Sequence, residues 1–292
     1  MKASIIILLL LTLAAPVATR ADLADEAAAD LKARRVDDAL ALLNQAIAAN
    51  PRDARAWGYR AYAWSCKRNW DQAITDCHQA IDLNPHFPQA YSIMGNANWM
   101  KGRLQDAGND FDEAISLAPG DPDNWYSRGY FYARQDRDRA IADLSQTLRI
   151  APKYEKALFL RGSLFLDEGK VDIAILDFTA AIALKPDDGI LYHQRGMSLE
   201  KSGQAGKAVE DFDKAIELMP RSDVEYFSRG YAWSDLHAYD KAAQDFSTAI
   251  QLSPKKGGYY LRRAMAYTAL GEKDLAAADL QQAATLKALP SN

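Results

Sequence analysis

Residues 226–250 open with Tyr226-Phe-Ser-Arg-Gly-Tyr-Ala-Trp233 and close with Asp245-Phe-Ser-Thr-Ala-Ile250, shortly before Pro254. The same columns of residues recur 34 positions earlier, ending at Pro220, and 34 positions before that, ending at Pro186. A fixed period of this length is typical of proteins built from stacked supersecondary units. Several columns recur together, so the period predicts one architecture for most of the chain.

Counting back from the closing prolines divides the chain into eight units, each predicted to form two helices. Apolar residues recur at i, i+4 and i+7 in the first helix of a unit, as at Trp57, Ala61 and Trp64. Neither helix can bury its apolar stripe alone, so neighbouring hairpins must stack. We therefore predict a single continuous all-α domain over residues 22–292. Its units are residues 20–53, 54–87, 88–121, 122–154, 155–188, 189–222, 223–256 and 257–290.

The order aromatic, Gly, large apolar, Ala, aromatic, Ala and Pro within each unit resembles the tetratricopeptide repeat (TPR) family. The resemblance covers nearly all of the chain after its N-terminal segment. It implies an α-solenoid of antiparallel helix pairs in a right-handed superhelix, with the first helices lining a concave groove. It also implies that the groove binds an extended or helical peptide of a partner, although a fold alone does not establish a function.

Three units depart from the common pattern. The first unit has an Ala-rich first helix between Ala24 and Ala33, as expected of an N-terminal cap. The fourth unit is one residue short, and the missing residue lies in a charged turn after Tyr132, where a deletion least disturbs packing. The last unit has Ala284 in place of the usual Ile, and we expect this unit to cap itself.

Residues 1–21 have the pattern of a secretory signal peptide. Lys2 precedes an apolar run that extends to Ala15, and small residues follow up to Ala21. We expect cleavage after Ala21, with Ala18 as the alternative, and a periplasmic or secreted mature chain with no membrane-spanning segment. The alternative is an uncleaved membrane anchor, but the apolar run is short for a span.

The charge balance argues against nucleic acid as the partner. The chain has 35 Lys and Arg against 39 Asp and Glu, a net charge of −4. No basic run is long enough to follow a phosphate backbone. We therefore expect a protein or peptide partner and no nucleic acid.

Six units place an Arg immediately before the Gly of the first helix and an Asp before the aromatic residue of the second. The two positions are 16 residues apart in five units and 15 in the short unit, so they lie level on facing helices. We predict a structural, charge-assisted bond in each hairpin. The alternative is an Arg ladder that binds an acidic ligand. The third unit has Asp110 but Met94 in the Arg column. The six pairs are Arg60 with Asp76, Arg128 with Asp143, Arg161 with Asp177, Arg195 with Asp211, Arg229 with Asp245 and Arg263 with Asp279.

The two cysteines, Cys66 and Cys77, are too few for a disulfide framework. They are offset by about five residues around the predicted turn, which is ~7.5 Å along the helix axis. The distance between packed helices, ~9 Å, adds to that offset. A disulfide needs Cα atoms within ~7 Å, so we predict two free thiols.

No pattern of residues indicates catalysis. The four histidines lie in different units and columns, and none belongs to a paired-His metal motif. Gly-x-Ser-x-Gly and Gly-rich phosphate loops are also missing from the sequence. We therefore expect no catalytic residue, no metal site and no cofactor, and we interpret the chain as a binding protein and not an enzyme.

A second stripe on the first helices lies one residue after the core stripe, rotated by about 100°. It would face water in a solitary hairpin, yet it is mostly aromatic or apolar. The alternative to a binding role is that it packs against the neighbouring unit. Tyr and Trp suit a half-exposed groove and are common binding anchors, and TPR proteins use this face for ligands. We predict a partner-binding groove made of Tyr62, Trp99, Tyr126, Tyr130, Phe159, His193, Met197, Phe227, Tyr231 and Met265, with Leu261 beside it.

These features predict an exported TPR scaffold that holds a partner protein or peptide, in an assembly associated with the cell envelope. Two alternatives stay open at this point. One is a binder of an apolar small molecule or a glycan. The other is an enzyme or enzyme subunit built on the solenoid, such as a non-catalytic subunit of an envelope enzyme.

Overall fold

The computed structural model describes residues 20–288, which form sixteen α-helices and no strand. The predicted signal peptide lies outside the described residues apart from its last two positions. The helices are α1 (Arg20–Lys32), α2 (Val36–Ala49), α3 (Ala54–Cys66), α4 (Trp70–Leu83), α5 (Pro88–Met100), α6 (Leu104–Leu117), α7 (Pro122–Tyr132), α8 (Arg137–Ile150), α9 (Glu155–Asp167), α10 (Val171–Leu184), α11 (Gly189–Lys201), α12 (Ala205–Leu218), α13 (Asp223–Asp235), α14 (Tyr239–Leu252), α15 (Gly257–Leu270) and α16 (Lys273–Ala288).

The helices fall into consecutive pairs, and each odd-numbered helix begins at the first residue of a predicted unit. Outside α7, the two helices of a pair pack against each other, and the second helix also packs against the first helix of the next pair. The predicted fold class, an all-α tandem of antiparallel helix pairs, is confirmed.

The chain divides into two compact units, residues 1–127 and 128–292, with the boundary inside α7. The single domain over residues 22–292 stays a prediction.

The turn between the two helices of a repeat depends on one residue in the left-handed conformation. Glycine occupies this position in four repeats, with φ between +75° and +83°, as at Gly203. Arg34, Arg68 and His237 adopt the same conformation with φ near +60°. The fourth repeat has no positive φ between Tyr132 and Arg137. The residue missing from that repeat is therefore the left-handed one, and the loss also shortens α7 to 11 residues where neighbouring first helices have 13.

The glycine column of the first helices allows the two helices of a hairpin to approach closely. A Cβ at Gly196 would lie 2.8 Å from the ring of Phe212, and one at Gly230 would lie 2.8 Å from the ring of Phe246. Both rings are almost completely buried. Contacts that short do not occur between real atoms, so a side chain at either glycine would push the helices apart.

The core continues from each hairpin into the next repeat. Phe212 packs with Ala232 of the following first helix, and Phe246 packs with Ala266 in the same way. At the N-terminal end, Ala24 and Ala27 are fully buried against Leu43, so α1 covers the core of the first repeat. The stacking that the period predicts is therefore present in both compact units.

The last repeat leaves an apolar face exposed within the described residues. Leu261 and Leu280 are 45% and 49% exposed, and they line a cavity of about 530 Å³ between α15 and α16. The self-capping repeat that the sequence predicts needs a polar outer face. Leu280 occupies the column in which Phe246 is buried against Ala266 of the following first helix. Self-capping of the last repeat stays a prediction.

Both cysteines are free thiols. Cys77 is buried in the core with Ala61 and Met94, and this burial raises the pKa of its thiol well above the ordinary value. Cys66 is exposed at the end of α3. The core environment of Cys77 favours a structural role for its side chain.

None of the helices described between residues 20 and 288 is both long enough and apolar enough to cross a membrane.

Candidate functional site

The predicted Arg and Asp residues form two-pronged ion pairs between the helices of their hairpins. In the sixth repeat, Arg195 donates from Nε to Asp211 Oδ2 at 2.8 Å and from Nη2 to Oδ1 at 2.7 Å. This fork-to-carboxylate geometry is the strongest that a guanidinium offers. The same two bonds, at 2.7–2.9 Å, join Arg60 to Asp76, Arg128 to Asp143, Arg161 to Asp177, Arg229 to Asp245 and Arg263 to Asp279.

All six aspartates of these pairs are buried, with exposed fractions between 0% and 6%. Each of them is bonded to the arginine of its own hairpin, so they contribute to the stability of the repeat. They are core residues of the repeat. The buried aspartates are Asp76, Asp143, Asp177, Asp211, Asp245 and Asp279.

The guanidinium groups are only partly buried, and each is committed to its aspartate. The side chain of Arg195 is 22% exposed. The hydrogen bond to Asp211 raises the pKa of Arg195 above its ordinary value. Removal of the arginine would leave a buried charge without its partner, so the pairs have a clear structural role. An arginine ladder that binds an acidic ligand would have to give up these bonds.

The third guanidinium nitrogen links the pair to the preceding repeat. Nη1 of Arg195 donates to Thr179 Oγ1 at 3.2 Å, and Nη1 of Arg229 lies 2.6 Å from Asp213 Oδ1. Each acceptor lies 16 residues before its arginine. The side chain therefore joins three helices, a role that the sequence spacing alone did not predict. The equivalent acceptors for Arg60, Arg161 and Arg263 are Asn44, Ser145 and Ser247.

The third repeat has no arginine in this column, and its carboxylate has a different partner. Asn98 Nδ2 donates to Asp110 Oδ2 at 2.8 Å, while Met94 is buried beside the pair. Burial raises the pKa of Asp110 to about 6, and the charge of Asp106 acts in the same direction. This carboxylate is therefore less well stabilised than its counterparts.

Part of the predicted aromatic stripe is used for packing between repeats. The ring of Phe227 stacks on Tyr259 of the next repeat with centroids 4.6 Å apart. His193 Nδ1 lies 2.6 Å from Glu225 Oε2, also in the next repeat. Phe159 packs edge-on against a phenylalanine of its own hairpin, with centroids 6.2 Å apart. For Phe227 and His193 the packing alternative describes the contacts that the structure shows, whereas the ring contact of Phe159 lies within its own repeat.

Other stripe residues are half-buried. Met197 packs against the cores of the fifth and sixth repeats. Tyr231 is covered by the guanidinium of Arg262, 4.6 Å from the ring centroid. Trp99 and Tyr126, in the first compact unit, are also only partly accessible.

The remaining stripe residues project into solvent from the first helices. Tyr62 in the first compact unit is 47% exposed, and Tyr130 and Met265 in the second are 50% and 55% exposed. Leu261 beside them is also exposed. We refer to Tyr62, in the first compact unit, and Tyr130 and Met265, in the second, as the exposed column, because all three occupy the same position of their repeats. Large side chains with an accessible face are the ones that can contact another molecule.

Acidic residues beside the stripe were not predicted from the sequence. Glu225 is buried and also accepts a hydrogen bond from Ser222 Oγ at 3.4 Å. Burial raises the pKa of Glu200 to about 7, with a further contribution from the charge of Asp235. The sequence does mark Glu225 as unusual, because the fifth and sixth repeats have an alanine and a leucine at the equivalent position. A break in a column does not by itself say which partner the new residue finds.

Within residues 20–288, no three His, Cys, Asp or Glu side chains are grouped so that they could hold a metal ion. His193 is paired with Glu225, and His237 Nδ1 lies 2.8 Å from the hydroxyl of Tyr239.

The chain matches family models described as tetratricopeptide repeat over most of its length. One model matches residues 24–64, 67–122, 130–189 and 159–223, and a second matches residues 258–288. No curated protein matches the chain.

Several solved structures share the fold at low sequence identity. The C-terminal part of a TPR repeat-containing protein from Cytophaga hutchinsonii is 18% identical with a TM-score of 0.63, covering 79% of this chain and 95% of that one. A tetratricopeptide repeat protein from Parabacteroides merdae is 20% identical with a TM-score of 0.56, covering 80% and 93%. YrrB, described as a TPR protein with an unusual peptide-binding site, is 23% identical with a TM-score of 0.51, covering 61% and 92%.

The similarity to these structures concerns the fold alone. The family assignment rests on the sequence matches, which extend over more than half of the chain, and on the helix pairs that begin where the repeats begin. The chain belongs to the tetratricopeptide repeat family.

Proposed function

We propose that this protein is an exported, non-catalytic TPR scaffold that binds a partner protein or peptide through the exposed column of its first helices. The partner is held in an assembly associated with the cell envelope. Export is inferred from the pattern of residues 1–21, and binding is inferred from the chemistry of the exposed side chains.

The observation that carries the binding proposal is the exposure of Tyr62, Tyr130 and Met265. Neighbouring stripe residues such as Phe227 are used for contacts between repeats, whereas these three keep about half of their surface accessible. Tyrosine combines a large apolar ring with a hydroxyl, and such residues are frequent anchors at protein interfaces. Methionine adds an adaptable apolar contact.

The similarity to YrrB supports a peptide or protein as the partner. That protein is described as having a peptide-binding site on a TPR fold. TPR proteins in general act as scaffolds without catalytic activity.

The binding surface can be tested by site-specific photo-crosslinking in cells. A photoreactive amino acid at Tyr130 should crosslink to a defined partner in the envelope fraction, and mass spectrometry would identify it. The same amino acid at Leu176, which is 68% exposed on the second helix of the fifth repeat, is the matched control. Crosslinks that are the same at both positions would contradict the proposal.

Truncation of the anchors tests the same surface quantitatively. Tyr130→Ala and Tyr231→Ala should together weaken binding of the identified partner by a few kcal/mol at most, about the loss found for interface anchors. Helical content by circular dichroism should not change. Leu176→Ala should leave binding unaffected. Retained affinity in the double variant would contradict the assignment of this surface.

Export can be tested separately. N-terminal sequencing of the protein recovered from the periplasm or medium should show a mature chain that begins at Asp22, or at Thr19 for the alternative cleavage site. Recovery of an intact residue 1–21 segment in the membrane fraction would contradict cleavage.

A further inference from the structure

The third repeat departs from its relatives at two positions that both face Asp110. Met94 replaces the arginine of the ion pair, and Asn98 replaces a large apolar or aromatic residue. The corresponding residues of the sixth repeat are Arg195 and Leu199. The two departures are one helical turn apart on α5, so they alter the same small region.

The equivalent aspartates of the other repeats indicate which chemical group the carboxylate of Asp110 can bind. In each of six hairpins the equivalent aspartate accepts hydrogen bonds on both oxygens from one guanidinium, as in the pair of Arg195 and Asp211. In the third repeat only Oδ2 of Asp110 accepts such a bond, from Asn98. Oδ1 receives no hydrogen bond from any residue between 20 and 288. The third repeat therefore supplies one of the two hydrogen bonds that a guanidinium gives to this aspartate in the other repeats.

Asn98 provides a second hydrogen-bond acceptor without a donor in the same region. The residue is 6% exposed, and its side-chain oxygen Oδ1 has no hydrogen-bond partner among the described residues. A buried polar atom without a partner costs free energy. A guanidinium placed beside Asp110 carries enough donors to serve Asp110 and Asn98 together.

A cavity gives access to this region. It has a volume of about 270 Å³, with Met94, Asn98 and Asp110 at its base. The equivalent cavity of the sixth repeat has about 300 Å³ and contains Arg195 and Asp211. A cavity of similar volume therefore lies beside the aspartate in both repeats, with the arginine in the sixth and without it in the third.

The charges around the cavity also differ between the two repeats. In the sixth repeat two cations, of Arg195 and Lys207, balance two carboxylates. In the third repeat two carboxylates, of Asp106 and Asp110, face one permanent cation, Arg103. Arg103 is exposed at the rim and makes no ion pair with Asp110 in the part of the chain that the structure describes. The cavity of the third repeat therefore has an excess of negative charge.

The acceptor column of the preceding repeat also differs. His78 stands 16 residues before Met94, in the column from which other repeats accept a hydrogen bond of the arginine. Its side chain is exposed at the rim of the cavity. The imidazole leaves room for an incoming group because no arginine reaches it from Met94.

We propose that the cavity beside Asp110 binds a guanidinium group supplied by another molecule, either an arginine side chain of a protein or a free arginine-like compound. The guanidinium takes the place of the arginine that the third repeat lacks and donates to Asp110 and Asn98. No residue of the exposed column contributes to this cavity, so the guanidinium site is independent of the proposed function.

The raised pKa of Asp110 agrees with a carboxylate that lacks a cationic partner. The group is ionised at neutral pH but destabilised by burial, so an incoming cation would relieve that cost. The neighbouring charged groups are Asp106, His78 and Arg103.

Titration of the purified mature protein tests the site directly. Methylguanidinium, followed by nuclear magnetic resonance of the Asn98 side-chain amide, should bind with one site per chain. Methylammonium at the same concentration should bind at least about tenfold more weakly, because it cannot donate to both carboxylate oxygens in a fork. Absence of a site-specific response, or equal responses to the two cations, would overturn the proposal.

Three variants locate the binding within the cavity. Asp110→Asn keeps the shape of the side chain and should reduce affinity at least about tenfold, because it removes the charge-assisted bonds. Met94→Arg should also abolish binding, because its own guanidinium occupies the site. Arg103→Ala is the control and should leave binding intact or tighten it. Unchanged affinity in Asp110→Asn and Met94→Arg would overturn the proposal.

A transplant provides the gain-of-function test. Arg195→Met together with Leu199→Asn gives the sixth repeat the two departures of the third, beside Asp211. The variant should bind a second methylguanidinium, more weakly than the first because Lys207 lies at the rim. A folded variant, verified by circular dichroism, that still binds one equivalent would count against the proposal.

The source of the guanidinium can be identified by comparing N-acetyl-arginine amide with short peptides that contain a single arginine. Peptides that bind at least about tenfold more tightly than the capped amino acid would assign the site to a protein side chain, because the flanking residues then add contacts. Equal affinities would assign it to a small molecule. Both results require that Asp110→Asn abolishes the interaction, and binding that survives this substitution would overturn the proposal.

Discussion

In the sixth repeat Arg195 donates to both oxygens of Asp211 and to Thr179 of the preceding repeat, whereas in the third repeat Asp110 has one amide donor, Asn98. The helices around the two aspartates are otherwise equivalent, and cavities of about 300 and 270 Å³ lie beside them. The difference is thus one of hydrogen bonding and charge and not of backbone architecture. It shows that the hairpin can form without its arginine.

The comparison also separates two roles of the arginine column. One is to neutralise a buried carboxylate within the hairpin, and the other is to connect that hairpin to the repeat before it. In the third repeat Asn98 partly replaces the first role. Asn98 does not replace the second role, because its side-chain amide donates to Asp110 within the same hairpin. The stability of a solenoid is approximately a sum of repeat and interface contributions, so such a loss stays local.

The largest expected effect is from Arg195→Met, which gives the sixth repeat the residue of the third. Asp211 would stay buried without a partner, and the free energy of unfolding should fall by about 1–3 kcal/mol. Urea denaturation followed by circular dichroism measures this change. Arg221→Met, at an exposed arginine, is the matched control and should change stability by at most about 0.5 kcal/mol. Equal losses in the two variants would show that the pair contributes nothing specific.

A smaller effect of opposite sign is expected from Met94→Arg, which gives the third repeat the residue of the sixth. The new guanidinium should pair with Asp110 and raise the free energy of unfolding by about 0.5–1.5 kcal/mol, the usual net value of a hydrogen bond. Met94→Leu controls for the change of the buried apolar side chain. A destabilised Met94→Arg with an unaffected Met94→Leu would show that the cavity cannot accept an internal arginine.

A third expected effect is a pH dependence contributed by Asp110. Its pKa rises from the ordinary value of 3.8 to about 6 on folding, so between these values the folded state binds more protons than the unfolded state. Stability from this group is therefore greatest at low pH and is lost as pH rises through about 6. Glu200, with a pKa raised to about 7, contributes in the same direction.

The contribution of Asp110 is obtained from the difference between wild type and Asp110→Asn. Between about pH 4 and pH 7 the wild type should lose more stability than the variant, while the contribution of Glu200 cancels. Urea denaturation at both pH values measures the difference. Parallel pH profiles would contradict the raised pKa and weaken the contrast between Asp110 and Asp211.

Much of the fold could be predicted from the sequence, because the same spacing of apolar, charged and proline residues recurs in several repeats. Each predicted unit begins where a first helix begins, at residues 54, 88, 122, 155, 189, 223 and 257. The spacing of 16 residues places Arg195 and Asp211 level on facing helices, and the structure shows them bonded. Helical periodicity and hairpin register are local properties, so they can be read from spacing.

Burial of the ion-pair carboxylates could not be read from that spacing. The period places each aspartate level with its arginine but does not say how deep the pair lies. In the structure the core of the hairpin closes over the aspartates, while the arginines stay partly accessible. The positions where this holds are Asp76, Asp143, Asp177, Asp211, Asp245 and Asp279, all of them buried.

The role of the aromatic stripe could not be predicted to the same extent either. Phe227 and Tyr130 both belong to the aromatic stripe predicted from the sequence. Phe227 stacks on Tyr259, while Tyr130 stays half exposed. The outcome depends on which residue the next repeat places opposite each ring. For Phe227 that residue belongs to another helix pair, and only packing brings the two together.

The sequence by itself therefore determined the helix pairs, their boundaries and the ion-pair partners within each hairpin, because these follow from periods along one chain segment. Only the tertiary structure decided which stripe residues remain accessible, that arginines such as Arg195 also reach the preceding repeat, and that Asp110 lies half-paired beside an open cavity. Those properties depend on distances between repeats and on burial. Both arise from how helices pack side by side, which the spacing of residues does not specify.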